Sequence, residues 1–206
     1  MLTLAIDSAT EACSVALFDG EDAIGGDMRL LGRGHAEQLV AMIAGLPGRG
    51  RAQRIAVALG PGSFTGVRVG LAAARALAYA WDAELVGYPT LPLIAAMARR
   101  GRGRCPLAVA TTGGHGEWFV QRFDPDGMAA EVMASRKPAD AAANIGEALV
   151  AGSQARALVE LRGHGEWLEL LPDARAINVL APDNLTTDVR PIYGRAPDAR
   201  LPTSAA

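Results

Sequence analysis

The stretch LGPGSFTGVRVG, Leu59 to Gly70, lies between a short apolar run and a long alanine-rich one. Two readings compete for it: a cradle for phosphate, or a glycine-enabled turn that launches a helix into very close packing. A phosphate-binding P-loop needs the spacing Gly-x-x-x-x-Gly-Lys-Ser/Thr, because its lysine must reach the outer phosphates while backbone amides hold the others. No lysine stands here, and the single lysine of the chain, Lys137, lies far downstream beside Pro138. A lysine-based nucleotide site of this type is therefore excluded, although Arg68 could meet an anion at the helix N-terminus, where free N–H groups favour negative charge.

The packing reading rests on Gly66, Gly70, Ala74 and Ala78. Spaced four apart, they stack on one face of a helix expected over Val67 to Trp81 and let a neighbour approach closely. The other faces carry Val67, Val69, Leu71, Leu77, Tyr79 and Trp81, with only Arg68, Arg75 and Asp82 charged. That is more apolar than a helix half-exposed to water should be. Either a sheet covers one side and a second subunit the other, or the helix is buried in its own domain.

Working outward, Leu2 to Ile6 reads as a buried strand, and Cys13 to Phe18 alternates up to the hairpin signal Asp19-Gly20, with a third strand around Ala23 to Leu30. Apolar Leu39, Val40, Met42 and Ile43 recur at helical spacing within His35 to Ala44, and the Gly-Pro-Gly region around Pro47 stops that helix. A strand at Ile55 to Leu59, the helix already described, a strand at Leu85-Val86 and a helix at Leu91 to Ala98 complete the first half. The run Arg99-Arg100-Gly101-Arg102-Gly103-Arg104 breaks the pattern and marks a boundary, giving expected units of 1–104 and 105–206.

Beyond it the order restarts. Strands are expected at Leu107 to Ala110, Trp118 to Phe123, Glu131 to Ala134 and Ala148 to Ala151, with helices at Ala139 to Ile145, Ala155 to Leu161 and Ala174 to Leu180. Both halves run βββαβα, so the expected fold is α/β with a structural duplication. Two copies of GHGEW, Gly114 to Trp118 and Gly163 to Trp167, fall in different contexts and read as coincidence.

With 206 residues, half of them hydrophobic, the chain can bury a large core, and a net charge of −2 gives no general electrostatic reason for direct nucleic-acid or anionic-membrane binding. Cys13 and Cys105 lie in apolar surroundings without metal-ligand spacing, which suits a reducing compartment. The N-terminus has no basic region before Asp7, and the apolar run Val69 to Trp81 is too short to cross a bilayer. A soluble, cytoplasmic protein is expected.

Three segments carry a resemblance. LAIDSATEACSVAL (Leu4 to Leu17), HAEQL (His35 to Leu39) and GPGSFTGVRVGLAAARALA (Gly60 to Ala78) closely resemble the bacterial TsaB (YeaZ) family of tRNA threonylcarbamoyladenosine biosynthesis proteins. GEWFVQRFD (Gly116 to Asp124), LVAGSQA (Leu149 to Ala155) and RPIYGRAPDARLP (Arg190 to Pro202) resemble looser family segments. The resemblance implies a two-lobed ASKHA fold (actin, sugar kinase, Hsp70-like; RNase H-like). It also implies a non-catalytic partner of the TsaD transferase, which forms N6-threonylcarbamoyladenosine at position 37 of tRNAs reading ANN codons. A TsaE-type ATPase completes the complex, tRNA is met only through it, and a homodimer is expected when the chain is alone.

In the family the pairing uses two helices of the first lobe, which places the interface here on His35, Leu39, Met42, Gly66, Arg68, Gly70, Ala74 and Ala78. Gly70→Leu or Ala74→Glu is then expected to break pairing and spare the fold. No cofactor and no metal are expected. The transferase holds metal with a His-x-x-x-His pair, and here the matching place reads Gly87-Tyr88-Pro89-Thr90-Leu91-Pro92.

Other candidate residues have duller alternatives. Asp7, after the first strand, is either a phosphate-site carboxylate or a turn-former helped by Ser8 and Thr10, and the second reading is preferred. His35 caps a helix, lines the interface or lies on the surface. His115 and Glu117 would bind a metal only if His164 and Glu166 joined them. Arg99 to Arg104 reads as a solvated loop rather than a tRNA contact. The rival function is an independent enzyme, an ASKHA phosphotransferase or a glycoprotease-like peptidase. Ser63 has no identifiable base for the latter, and Thr111-Thr112-Gly113-Gly114 is the nearest approach to a phosphate loop for the former.

Overall fold

The computed structural model describes residues 1–194. Strands β1 (Leu2–Asp7), β2 (Ala12–Asp19) and β3 (Asp22–Leu30) form an antiparallel meander turning at Gly20, whose φ is 60°. After α1 (His35–Ala44), β4 (Arg54–Ala58) lies parallel to β1 and β5 (Glu84–Tyr88) parallel to β4, with α2 (Phe64–Trp81) as the crossover and α3 (Thr90–Arg99) following. The sheet order is β3-β2-β1-β4-β5.

The second lobe repeats the plan. Strands β6 (Leu107–Gly114), β7 (Glu117–Phe123) and β8 (Ala134–Arg136) form the meander, followed by α4 (Pro138–Asn144), β9 (Leu149–Ala151), α5 (Ala155–Arg162) and β10 (Glu166–Leu168). The order β10-β9-β6-β7-β8 is that of the first sheet written from its other edge. Two five-stranded lobes of one topology make this the two-lobed ASKHA (RNase H-like) α/β fold.

β1 is apolar almost throughout because both its faces are covered. Leu4 and Ile6 join the core beneath α1 and α2, whereas Ala5 faces Ala16, Phe18 and Ala174 on the opposite side. The cover there is a 3-10 helix, Ala174–Val179, anchored where the Ala174 N–H donates to Ser14 Oγ at 2.9 Å. The chain then stays on the first sheet: Thr186 bridges to Gly87, and the Ile192 N–H donates to the Leu59 carbonyl at 2.8 Å. Conversely α3 turns Leu91, Ile94 and Ala98 onto Leu107, Phe119 and Phe123 of the second lobe.

Several boundaries differ from expectation. α2 starts three residues early, at Phe64, because Ser63 caps it. β8 lies at Ala134–Arg136 rather than Glu131 to Ala134, pairing with β7. β10 was not expected at all: it is a three-residue edge strand, exposed over Glu166 and Trp167, too short to show a period. It means each lobe ends its core unit on a fifth strand, βββαβαβ, and that the second GHGEW copy also enters a strand. Ala174 to Leu180 forms a 3-10 rather than an α-helix. Of the tail segment Arg190 to Pro202, residues 195–202 lie outside the described residues.

Candidate functional site

The opening stretch is a close-approach turn. Ser63 Oγ accepts from the Gly66 N–H at 3.2 Å, capping α2, and the Ser63 N–H donates to the Ala9 carbonyl at 2.7 Å. Ser8 Oγ donates to the Gly66 carbonyl at 2.9 Å. A Cβ at Gly62 would overlap the Ala9 carbonyl, one at Gly66 the Ser8 carbonyl, and one at Gly70 would lie 2.5 Å from Ser8 Oγ. The glycines therefore let the helix press directly on the end of β1.

Most of the residues expected at the contact surface lie inside the chain. Gly66, Gly70, Ala74 and Ala78 are buried against their own sheet, so the small-residue seam is internal. Leu39 and Met42 are buried in the same core. His35 neither caps α1 nor reaches a surface: the N-cap is Gly34, and the buried His35 ring donates from Nε2 to the Thr10 carbonyl at 2.8 Å. Of the residues assigned to the interface, Arg68 alone stays exposed. Four-residue spacing identifies a face that accepts a close neighbour, but it does not say whether that neighbour is a strand of the same chain or another molecule.

The uncovered surface is on the other side of the same two helices. Val40 is 63% exposed and Tyr79 93%, and Ala41, Ala44, Ala72 and Ala76 lie open beside them. The signal was present in the sequence, since positions 72, 76 and 79 point away from the glycine stripe and remain apolar.

Asp7 is fully buried. Its Oδ1 accepts from the Ala9 N–H at 3.0 Å in the expected turn, and Oδ2 accepts from the Tyr88 hydroxyl at 3.3 Å. Desolvation outweighs both bonds and raises its pKa to about 7. The same burial, next to Asp7, pushes the Tyr88 phenol well above its ordinary range.

Among the described residues no group of three His, Cys, Asp or Glu side chains comes together as a metal site. Glu117 accepts from Ser135 Oγ at 2.7 Å, and Glu166 pairs with Arg102 at 3.0 Å. The basic run is engaged by the second lobe: Arg99 donates to the Cys105 carbonyl at 3.1 Å and to that of Asp124, and Arg104 pairs with Asp126. At the end of β6 the Thr112 N–H donates to Ser153 Oγ at 3.2 Å, so it is turned into its own lobe.

Between the lobes lies a cavity of about 660 Å³. The first lobe contributes Glu11, Ser63 and Arg68, the second Thr112 and Ser153, and the tail Tyr193. The Arg68 guanidinium carbon sits 3.5 Å above the Phe64 ring centre, and Nε and Nη2 donate to the Tyr193 hydroxyl at 3.3 and 3.0 Å.

Duplicated five-stranded lobes closing on a cleft define a protein with the two-lobed ASKHA fold. Residues 30–162, more than half of the chain, match the family described as "TsaD: tRNA N6-adenosine threonylcarbamoyltransferase". The chain is 35% identical over 135 residues to the tRNA threonylcarbamoyladenosine biosynthesis protein TsaB of Escherichia coli, a match covering 62% of this chain and 58% of that protein. It is 39% identical over 102 residues to the protein of the same name in Haemophilus influenzae, covering 46% of this chain and 42% of that one. The matched stretch thus spans about half the length of these relatives. The solved structure of YeaZ from Pseudomonas aeruginosa superimposes with a TM-score of 0.78 at 26% identity, covering 93% of this chain and 99% of that one. The chain belongs to the TsaB/YeaZ family, within that broader transferase family.

Proposed function

We propose that this protein is a non-catalytic partner of a TsaD-type transferase in making N6-threonylcarbamoyladenosine at position 37 of tRNAs that read ANN codons. A TsaE-type ATPase joins the complex, and tRNA is reached only through it. The names of its relatives support the pathway. The observation that carries the docking role is the apolar outward face of α1 and α2, where Val40 and Tyr79 stand exposed among alanines. Burying apolar surface at about 25 cal/mol per Å² makes such a face a natural seat for another pair of helices. Alanines there let the helix axes come close, and Arg68 and Arg75 bound the face on the side where Arg75 donates to the Val189 carbonyl at 2.7 Å. In isolation the same face pairs with a second copy, giving a homodimer. The lobes act as units divided near Arg104, with residues 174–194 serving the first.

The test is tRNA threonylcarbamoylation with purified TsaD-type and TsaE-type proteins, with and without this chain, beside the ATPase activity of the chain alone. Modification that depends on the added chain, with no turnover by it alone, supports the role. Full modification without it, or robust turnover by the isolated chain, overturns it.

A further inference from the structure

The docking role leaves the cleft between the lobes unused, and we propose that this cleft binds a small organic acid: one carboxylate on an apolar body about the size of one or two rings, with Arg68 as its charge partner. A volume of about 660 Å³ falls within the roughly 300–1,000 Å³ of small-molecule sites. Val67, Phe119 and Ile192 offer the apolar body a wall.

The charge is set by Arg68. Arg29, Arg54, Arg102, Arg122, Arg156 and Arg190 each rest on a carboxylate, whereas Arg75, Arg99 and Arg162 donate to carbonyls; among the described residues Arg68 too has no carboxylate, and it is the arginine that lines the cavity. It is instead held by the Phe64 and Tyr193 rings and by one neutral hydroxyl. Such a guanidinium is already oriented and keeps Nη1 for a planar carboxylate, so little freedom is lost on binding. Ser63, Thr112 and Ser153 supply hydroxyls from both lobes. Glu11 lines the same cavity, and its charge opposes each negative charge a ligand brings, so the penalty grows from a monoanion to a nucleoside triphosphate.

The test titrates the full chain with indole-3-acetate, its neutral isostere indole-3-acetamide, and ATP, followed by amide NMR and calorimetry. The acetate is expected to bind with shifts at Arg68, Phe119 and Thr112, and the amide about tenfold more weakly, the loss of one charge-assisted pair. Arg68→Gln should weaken the acetate about tenfold and leave the amide unchanged. Thr112→Trp, an exposed position whose larger ring fills the cleft, should block both, which keeps the test decisive if Arg68→Gln disturbs the fold. Equal affinity for acetate and amide, tighter binding of ATP, unchanged binding in Thr112→Trp, or no shifts at the cleft would each overturn the proposal.

Discussion

Replacing Gly66 by alanine sets two physical effects against each other with opposite signs. Gly66 is in the first turn of an 18-residue helix, where alanine is favoured over glycine by up to about 1 kcal/mol on propensity alone. A helix free to move would therefore be stabilised. The new Cβ would overlap the Ser8 carbonyl, which belongs to backbone at the end of β1 and has no rotamer to escape into. Overpacking of that kind costs about 1–3 kcal/mol. Moving the helix away also stretches the Ser8 Oγ–Gly66 carbonyl bond of 2.9 Å and the Ser63 cap of 3.2 Å, each worth about 1 kcal/mol. The net expectation is a loss of about 1–4 kcal/mol, or roughly 2–4 °C in Tm per kcal/mol for a chain of this size. Urea and thermal unfolding followed by circular dichroism read it directly, with Ala76→Gly on the exposed side as a propensity control losing about 1 kcal/mol. Gly66→Ala unfolding at or above the wild-type Tm would refute the close-approach reading of the loop.

Ala76→Glu, on the outward face, should leave the Tm of the isolated chain nearly unchanged and abolish pairing with a TsaD-type partner or with itself, measured by light scattering on a sizing column; unaffected pairing would move the interface elsewhere. Gly70→Leu should instead lower the Tm, because its Cβ starts 2.5 Å from Ser8 Oγ. For Asp7 the folded pKa, raised to about 7, exceeds the ordinary 3.8, so the native state holds a proton that the unfolded chain has released. Its contribution to stability is greatest below about pH 4, falls as the pH rises towards 7 and levels off above that. Urea titrations at several pH values should show Asp7→Asn gaining on the wild type across that window, and parallel pH profiles would show that Asp7 is not so perturbed. Burial raises the Cys13 thiol to about 11. A thiol reagent at pH 8 should accordingly label Cys105 first and Cys13 only on unfolding, and rapid native labelling at Cys13 by mass spectrometry would contradict its burial.

The sequence by itself determined the local elements whose signals are contained within a dozen residues. The β1–β2–β3 meander was legible because Asp19-Gly20 supplies the turn and the strands on either side are continuous or alternating. The helices α1 and α2 were legible from their period, and so was the duplication, from the restart after Arg104. The Asp7 turn was legible too, because an aspartate that bonds the N–H two residues on is a local event. Tertiary structure decided which way each face looks. Glycine and alanine at every fourth position of α2 announce a close neighbour, but only the position of Ser8 at the end of β1 makes that neighbour the chain itself and sends Ala72, Ala76 and Tyr79 to the outside. It likewise decided that His35 is spent on the Thr10 carbonyl, and that the tail returns more than a hundred residues to cover β1 and bring Tyr193 onto Arg68. Those are contacts between segments remote in sequence. No periodicity encodes them, because they depend on where two sheets and a returning chain come to rest.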